Sequence, residues 1–513
     1  MKALSPVSCL LLGFGLAVFL VGIGANSIYI LDEAKNAEAA REMWESGNWF
    51  YPTFNGEPRY DKPPLHYFLF GIAYKLMGVT AFSARFFPAL AGWVCSLLVF
   101  LKVRRRFGEN AAIVAYLSLI ASVQWGIQFR LAVPDPFLIL FLTASVLQLE
   151  GYLSDKSKPK KYLYSASALL GLAFLSKGPV SVVLVLGTIL IFSLIHWRAL
   201  DLKWRHFLDL WAVLIFCLVA LPWYFFVYFH YGGDWLSQFI FKHNLSRFSA
   251  PMEGHGGPVY FPLLFALGGF FPASLLLFVP WKGRFKRLKS DSLLMISLIF
   301  VLVTVGFFSI SSTKLPGYVA PVFPFLAILV AGQTGKLEGT KAFFPIFVLM
   351  GLGLLVFPLG LYFTRSMQLS NFGFSIPYWY FLFPLFALGL AIFWIGSRRK
   401  SLTLLLLGYG VLKLVLFVQV VPLIDRNNPV TQSLPFLEGK TEVYYWREFN
   451  PAFPFQLKRI IRPWTGESFG EVLIITEQKH LATFSQPFQV VFRAKDQFEN
   501  KETVIIKPQP VLP

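Results

Sequence analysis

Apolar runs long enough to cross a bilayer recur along almost the whole chain, and no other feature narrows the possible folds so far. They fall at 6–30, 81–101, 110–129, 136–153, 162–176, 178–196, 207–230, 258–281, 292–311, 315–334, 342–364, 377–396 and 402–423. About twenty apolar residues in a helix cover a hydrocarbon core about 30 Å thick, so the pattern predicts about thirteen crossings. Composition agrees: 14% of residues are charged, where a soluble globule carries about a quarter. The expected fold is an all-α polytopic membrane domain over 1–423, followed by a small α/β domain over 424–513. The first run is too long for a signal-peptide core and reads as a retained span. The shorter piece Leu65–Val79 reads as interfacial or re-entrant.

Basic clusters test the count. Lys102-Arg104-Arg105-Arg106, Lys156-Lys158-Lys160-Lys161, Arg198-Lys203-Arg205, Lys282-Arg284-Lys286-Arg287-Lys289, Lys336-Lys341 and Arg398-Arg399-Lys400 all fall in even-numbered connections. They share the side of the N-terminus, which the positive-inside rule makes cytoplasmic. The net charge of +19 is thereby a matter of orientation and calls for no nucleic-acid partner. Cys9, Cys95 and Cys217 lie inside apolar runs and support neither a disulfide framework nor a cysteine metal site. The expected setting is a bacterial inner membrane, with the 32–80 segment and the tail outside the cytoplasm and the chain acting as a monomer.

Polar residues gather at that outer side. Asp32 and Glu33 open the stretch that ends at Pro64. They suit the N-terminus of a helix over Glu33–Ser46, where carboxylates favour the positive dipole end. Asp32 equally suits a general base facing a polar cavity. Ala34, Ala37, Ala40 and Trp44 give that helix an apolar face, so it is expected along the membrane surface. In Arg59-Tyr60-Asp61-Lys62-Pro63-Pro64, a structural salt bridge competes with a site in which Lys62 holds phosphate and Asp61 a metal ion or polar ligand. Asp135 reads on its own as a helix cap. Lys177, before Gly178-Pro179, faces an anion on a side that needs no positive charge, or else snorkels. His243, with Asp61 and Asp135, would complete a divalent site. Lys314 and Tyr318 sit at another outer junction, where Tyr318 also suits an interfacial aromatic. An anionic substrate with a lipid tail would suit such a face, its phosphate held by Lys and Arg.

The order Asp32-Glu33-Ala34, Ala37-Glu38, Arg41-Glu42-Met43, Asn55-Gly56, Asp61-Lys62-Pro63-Pro64-Leu65, Phe82-Ser83-Ala84-Arg85-Phe86-Phe87-Pro88, Leu175-Ser176-Lys177-Gly178-Pro179, His243 with Arg247-Phe248, and Lys314-Leu315-Pro316-Gly317-Tyr318 resembles the lipid A aminoarabinose transferase family. That family stands among the bacterial relatives of protein O-mannosyltransferases in the GT-C class. The resemblance covers at least 30–330. It implies a GT-C glycosyltransferase that moves a sugar, with inversion, from a polyprenyl-phosphate donor to a periplasmic acceptor such as lipid A or another glycolipid. A protein acceptor is the neighbouring alternative, and a transporter or flippase of lipid-linked sugars is the alternative outside the class. Carried over, Asp32 with Glu33 would be catalytic, and Lys62, Lys177, Arg59 and Lys314 would hold phosphate. Tyr60, Tyr318, Arg247 and Lys35 would line the pocket, and Asp61, Asp135 and His243 would hold zinc, magnesium or manganese. This chain departs from the family in having Asp61 where Glu is common and Lys35-Asn36 where Arg-Tyr is common, which leaves the sugar open.

Overall fold

The computed structural model describes residues 3–196, 209–245, 256–280, 283–334, 343–367, 398–439, 442–466, 472–496 and 501–509. Each apolar run after the first is largely helical where it is described, and 377–396 lies outside the described residues. Ala81–Phe107, Asp135–Ser154, Ser292–Ile310 and Lys400–Asp425 are each long and apolar enough to cross a membrane. Two further runs are bent pairs: Glu109–Ala121 meets Val123–Phe129 at 70°, and Leu210–Ala220 meets Pro222–Tyr231 at 47°.

The breaks have local causes. The first run is helical over α1 (Pro6–Leu20) alone. Beyond it Gly22 takes φ +73°, a conformation L side chains avoid. The buried Arg130 guanidinium then donates to the end carbonyls of Val18 (2.9 Å), Phe19 (3.2 Å) and Val21 (2.8 Å). Pro222 lacks the N–H that would continue its helix. At Ser122 the carbonyl accepts from Lys413 Nζ at 2.9 Å, so a buried lysine side chain satisfies a helix end that lipid could not.

After α1 the polar stretch forms α2 (Leu31–Ser46), stopped by Gly47 at φ +72°. The sequence places α2 along the membrane surface, but the structure encloses it. Ala34, Ala37, Ala39 and Ala40 are fully buried, and such small side chains let neighbours close in on more than one face. Helix α3 (Leu65–Met77) and the tail helix Ala452–Leu457 both pack on it. Glu42 of α2 accepts from Thr53 Oγ1 (2.6 Å), Asn55 N (2.5 Å) and Gly56 N (3.2 Å). It thereby pins the hairpin β1 (Thr53–Phe54) and β2 (Glu57–Pro58), whose Asn55-Gly56 turn has φ +53° and +81°.

Beyond the hairpin and α3 come α4 (Ala81–Phe107), α5 (Glu109–Ala121), α6 (Val123–Phe129), α7 (Asp135–Ser154), α8 (Lys160–Lys177) and α9 (Val180–His196). The tail carries a mixed sheet in the order β4-β3-β5-β7-β6: β3 (Glu442–Tyr445), β4 (Arg462–Pro463), β5 (Val472–Glu477), β6 (Phe488–Lys495) and β7 (Glu502–Pro508). β3 runs parallel to β4 and β5, and β7 antiparallel to β5 and β6. β5 is buried throughout. Asn55 joins this tail to the hairpin by exchanging two 2.8 Å bonds with the backbone of Ile461.

Candidate active site

Helices α7 and α8 are antiparallel neighbours of similar length joined by a short connection, so the first residue of one lies level with the last of the other. Asp135 and Lys177 are therefore adjacent, with Lys177 Nζ donating to Asp135 Oδ1 at 2.6 Å. Each also suits its helix end, an acid at the N-terminus and a cation at the C-terminus. Gly178 follows at φ +78°, and a Cβ there would lie 2.7 Å from the Phe239 ring. Lys177 Nζ also lies 4.8 Å from the centre of the Tyr318 ring.

These residues and the Asp61-Lys62-Pro63 turn line a cavity of about 410 Å³. Leu138, Val183, Leu184, Phe239, Phe307 and Phe308 supply much of the rest of its wall, which makes it polar at one end and greasy at the other. Asp32, in the first turn of α2, stands beside the Asp61-Lys62-Pro63 turn: its carboxylate is half-exposed and lies 3.7 Å from Lys62 Nζ and 3.8 Å from Arg59 Nη2. Asp61, Asp135, Lys62 and Lys177 thus share one cavity, and Asp32 stands beside Lys62 just outside its lining.

Behind them is a buried polar layer that sequence reasoning missed. The Arg59 guanidinium is buried and lies 2.9 Å from Asp61 Oδ1 through Nε and 3.0 Å from Asp61 Oδ2 through Nη2. Its Nε–H donates to the Tyr67 hydroxyl (2.9 Å) and its Nη2–H to Asn36 Oδ1 (3.0 Å). His66 is fully buried, with Nε2 3.3 Å from Asn36 Oδ1 and its ring centre 3.8 Å from that of Tyr67, the rings tilted by 42°. Burial first, then the positive charge of Arg59 and Lys62, holds His66 well below the ordinary imidazole range, so the ring is neutral. Burial likewise pushes the Tyr67 phenol up. One signal was available: His66-Tyr67 are polar-capable residues in the first turn of an otherwise apolar helix, directly after the Lys-Pro-Pro turn.

Several expected roles change. Glu33 does not face the cavity. It is buried and accepts from Arg85 Nε (2.7 Å) and Nη2 (2.8 Å) and from Ala132 N (2.8 Å). Arg85 spends its remaining donors on the carbonyls of Ile23, Asn26 and Ser27. Glu33 is therefore a clamp joining α2, α4 and the 130–132 turn, not a second catalytic acid. Arg59 is taken up by Asp61, Tyr67 and Asn36, so it positions those groups and leaves phosphate to others. Lys314 Nζ is buried against Ser311 O at 2.7 Å, turned into its own loop. Tyr60 packs with Tyr51, Trp223 and Trp235 in an aromatic cluster beside the cavity. Lys35 lies one turn beyond Asp32 on α2 and is half-buried. His243 falls in the helical segment Gln238–Leu245, but its side chain, like Arg247, lies outside the described residues. Asp61 and Asp135, the other two residues of the expected metal set, each carry a cation of this chain, as given above.

The chain is similar to several known proteins. The sequence model of a family described as dolichyl-phosphate-mannose-protein mannosyltransferase matches residues 61–223. An uncharacterised protein of Aquifex aeolicus is 29% identical over 477 residues, 90% of this chain and 89% of its own length. The undecaprenyl phosphate-alpha-4-amino-4-deoxy-L-arabinose arabinosyl transferase of Edwardsiella ictaluri is 30% identical over 333 residues, 63% of this chain. Only 58% of that enzyme's length is covered. The crystal structure of ArnT from Cupriavidus metallidurans bound to undecaprenyl phosphate superposes with a TM-score of 0.79 over 98% of both chains, at 20% identity.

The fold is shared with the ArnT crystal structure, and the sequence similarities make the chain a membrane glycosyltransferase of the GT-C class. Within that class the chain belongs to the family of the aminoarabinose transferases and their protein mannosyltransferase relatives.

Proposed function

We propose that the chain transfers a sugar from a polyprenyl-phosphate donor to lipid A or another envelope glycolipid, inverting the anomeric carbon, with an aminoarabinose-type modification as the leading case. The reading also takes the membrane to be the bacterial inner membrane, crossed about thirteen times. The N-terminus lies on the cytoplasmic side, and the cavity and the tail domain (424–513) on the periplasmic side.

One observation carries the reading: two lysines meet an apolar wall in a single cavity. A phosphate head suits the lysines and a prenyl chain suits the aromatic and aliphatic wall. Before substrate arrives, Lys177 is bonded to Asp135 and Lys62 stands near Asp32. An incoming phosphate competes for both lysines. Lys62, drawn to the phosphate, leaves the Asp32 carboxylate more basic toward an acceptor. A hydroxyl acceptor gives its proton to Asp32 as its oxygen bonds to the anomeric carbon. The bond from that carbon to the phosphate oxygen breaks, and polyprenyl phosphate departs with the electron pair. Lys62 and Lys177 meet the charge growing on that oxygen. A phosphate acceptor is already nucleophilic and needs only placement.

The family description matched at 61–223 favours one second reading, in which the acceptor is a protein hydroxyl. Purified chain in nanodiscs would be given polyprenyl-phosphate sugars together with lipid A or a Ser/Thr-rich peptide, and the products read by mass spectrometry. Sugar-modified lipid A supports the proposal and modified peptide supports the second reading. Donor that crosses sealed vesicles without forming any product overturns both in favour of a flippase.

A further inference from the structure

The expected metal set tests poorly against the chain's own charges. A divalent ion takes at least two open anionic or imidazole ligands. Asp61 instead has the Arg59 guanidinium beside both oxygens, Nη2 donating to Oδ2 at 3.0 Å and Nε lying 2.9 Å from Oδ1, which makes no hydrogen bond among the described residues, and Asp135 has Lys177 at 2.6 Å. Arg59 cannot swing aside to admit a metal, because Tyr67 and Asn36, both buried, hold its Nε and Nη2 from behind. The same Nη2 lies 3.8 Å from Asp32. One planar guanidinium therefore stands between Asp61, in the turn after β2, and Asp32 of α2, where a bridging cation would sit, and a divalent ion would be driven against it. Among the described residues, the group of three metal-ligand types with donor atoms within 4.8 Å of one another is Glu448, Glu477 and His480, far along the chain in the tail. There Lys479 Nζ already lies 2.5 Å from Glu448 and 2.9 Å from Glu477.

We propose that Arg59 is the resident cation of this site, bridging Asp61 and Asp32, and that the enzyme works without a divalent metal. Arg59 is a positioning residue: it orients the two carboxylates, while the lysines meet the substrate. Its planar fork, held on three sides, supplies fixed charge that a flexible lysine cannot reproduce. The activity part of the inference rests on the glycosyl-transfer reading; the metal-binding part does not.

The test is elemental analysis of the purified full-length chain before and after dialysis against EDTA, with thermal unfolding in zinc, magnesium and manganese. The wild type is expected to carry well under one metal per chain, to show no metal-dependent shift in unfolding temperature, and to keep its transfer rate in EDTA. Arg59→Ala opens Asp61 and Asp32. It is expected to acquire a manganese- or zinc-dependent thermal shift that the wild type lacks, and to lose about tenfold to a hundredfold in transfer, the scale of a misplaced reacting group. Arg59→Lys is expected to recover little of that loss. A wild type that holds about one equivalent of metal, released by EDTA with loss of thermal stability or of transfer, overturns the inference whether or not the variants fold. So does an Arg59→Ala protein that folds, binds no metal and transfers at the wild-type rate. A metal-free wild type that transfers no sugar would instead count against the functional reading and leave the metal-binding part standing.

Discussion

Asp32 and Glu33 are adjacent acids at the start of one helix, yet they have opposite surroundings. Successive helical residues are turned by about 100°. That turn sends Glu33 into the protein, where a bidentate arginine and a backbone N–H saturate it. Asp32 is left at the cavity edge, half-exposed, with two cations at 3.7 and 3.8 Å. Those distances are too long for hydrogen bonds and short enough for Coulomb attraction. A buried, saturated acid fixes geometry, whereas a half-exposed one can be reached by solvent and substrate.

Substitutions at three positions probe this contrast. The largest expected effect is on folding. Glu33→Ala strands the buried Arg85 guanidinium, and breaking one side of a buried pair costs about 3–5 kcal/mol. Little folded protein should elute from size exclusion in detergent, and Glu33→Gln should recover part of it. Asp32→Asn should leave elution and unfolding temperature unchanged while transfer to a hydroxyl acceptor falls about 10²–10⁴-fold. If Glu33→Ala folds normally but is inactive, or Asp32→Asn fails to fold, the two roles have been assigned the wrong way round. Gly178→Ala should have a smaller effect. It forces a side chain into φ +78° and against Phe239, at about 1–2 kcal/mol for the backbone alone. Lys177 would be displaced, raising KM for the lipid donor more than it lowers kcat.

What was legible in the sequence follows the same division. Charges that end a helix in a membrane chain are expensive to misplace, so Asp32, Lys62, Asp135 and Lys177 could be assigned to one face from spacing alone; the structure puts Lys62, Asp135 and Lys177 in one cavity lining and Asp32 3.7 Å from Lys62. Partner choice was not legible. Arg59 looked like a phosphate ligand because a cation in an outer loop attracts anions in general. Its actual partner Asn36 lies 23 residues away and becomes a neighbour only when α3 folds back on α2. Glu33 and Arg85 are separated by 52 residues, and nothing local distinguishes Glu33 from Asp32. The strand-like runs of the tail were visible, but not that β5 would pair parallel to β3 on one side and antiparallel to β7 on the other. Strand order depends on which edges the connecting helices leave open, and the alternation of residue types does not encode that.

The smallest expected effect concerns His66, which lies behind the half-exposed acid as Arg85 lies behind the saturated one. Its ring is neutral in the folded protein because burial and the charges of Arg59 and Lys62 hold its pKa well below the usual value. In the unfolded chain it titrates near about 6.5. Below that pH the unfolded state binds a proton that the folded state refuses, so stability falls as pH drops from about 6.5 toward the folded value. Above it the two states bind equally and the contribution is flat. His66→Gln, which can keep a donor on Asn36, should remove this slope. The difference in unfolding free energy between wild type and variant should therefore change between pH 7 and 5 by about 1.4 kcal/mol per unit of displacement and stay constant between pH 7 and 8. A difference that is flat throughout would mean that the ring takes up its proton in place, and that the layer beneath Asp32 and Asp61 carries one more positive charge than the geometry assigns to it.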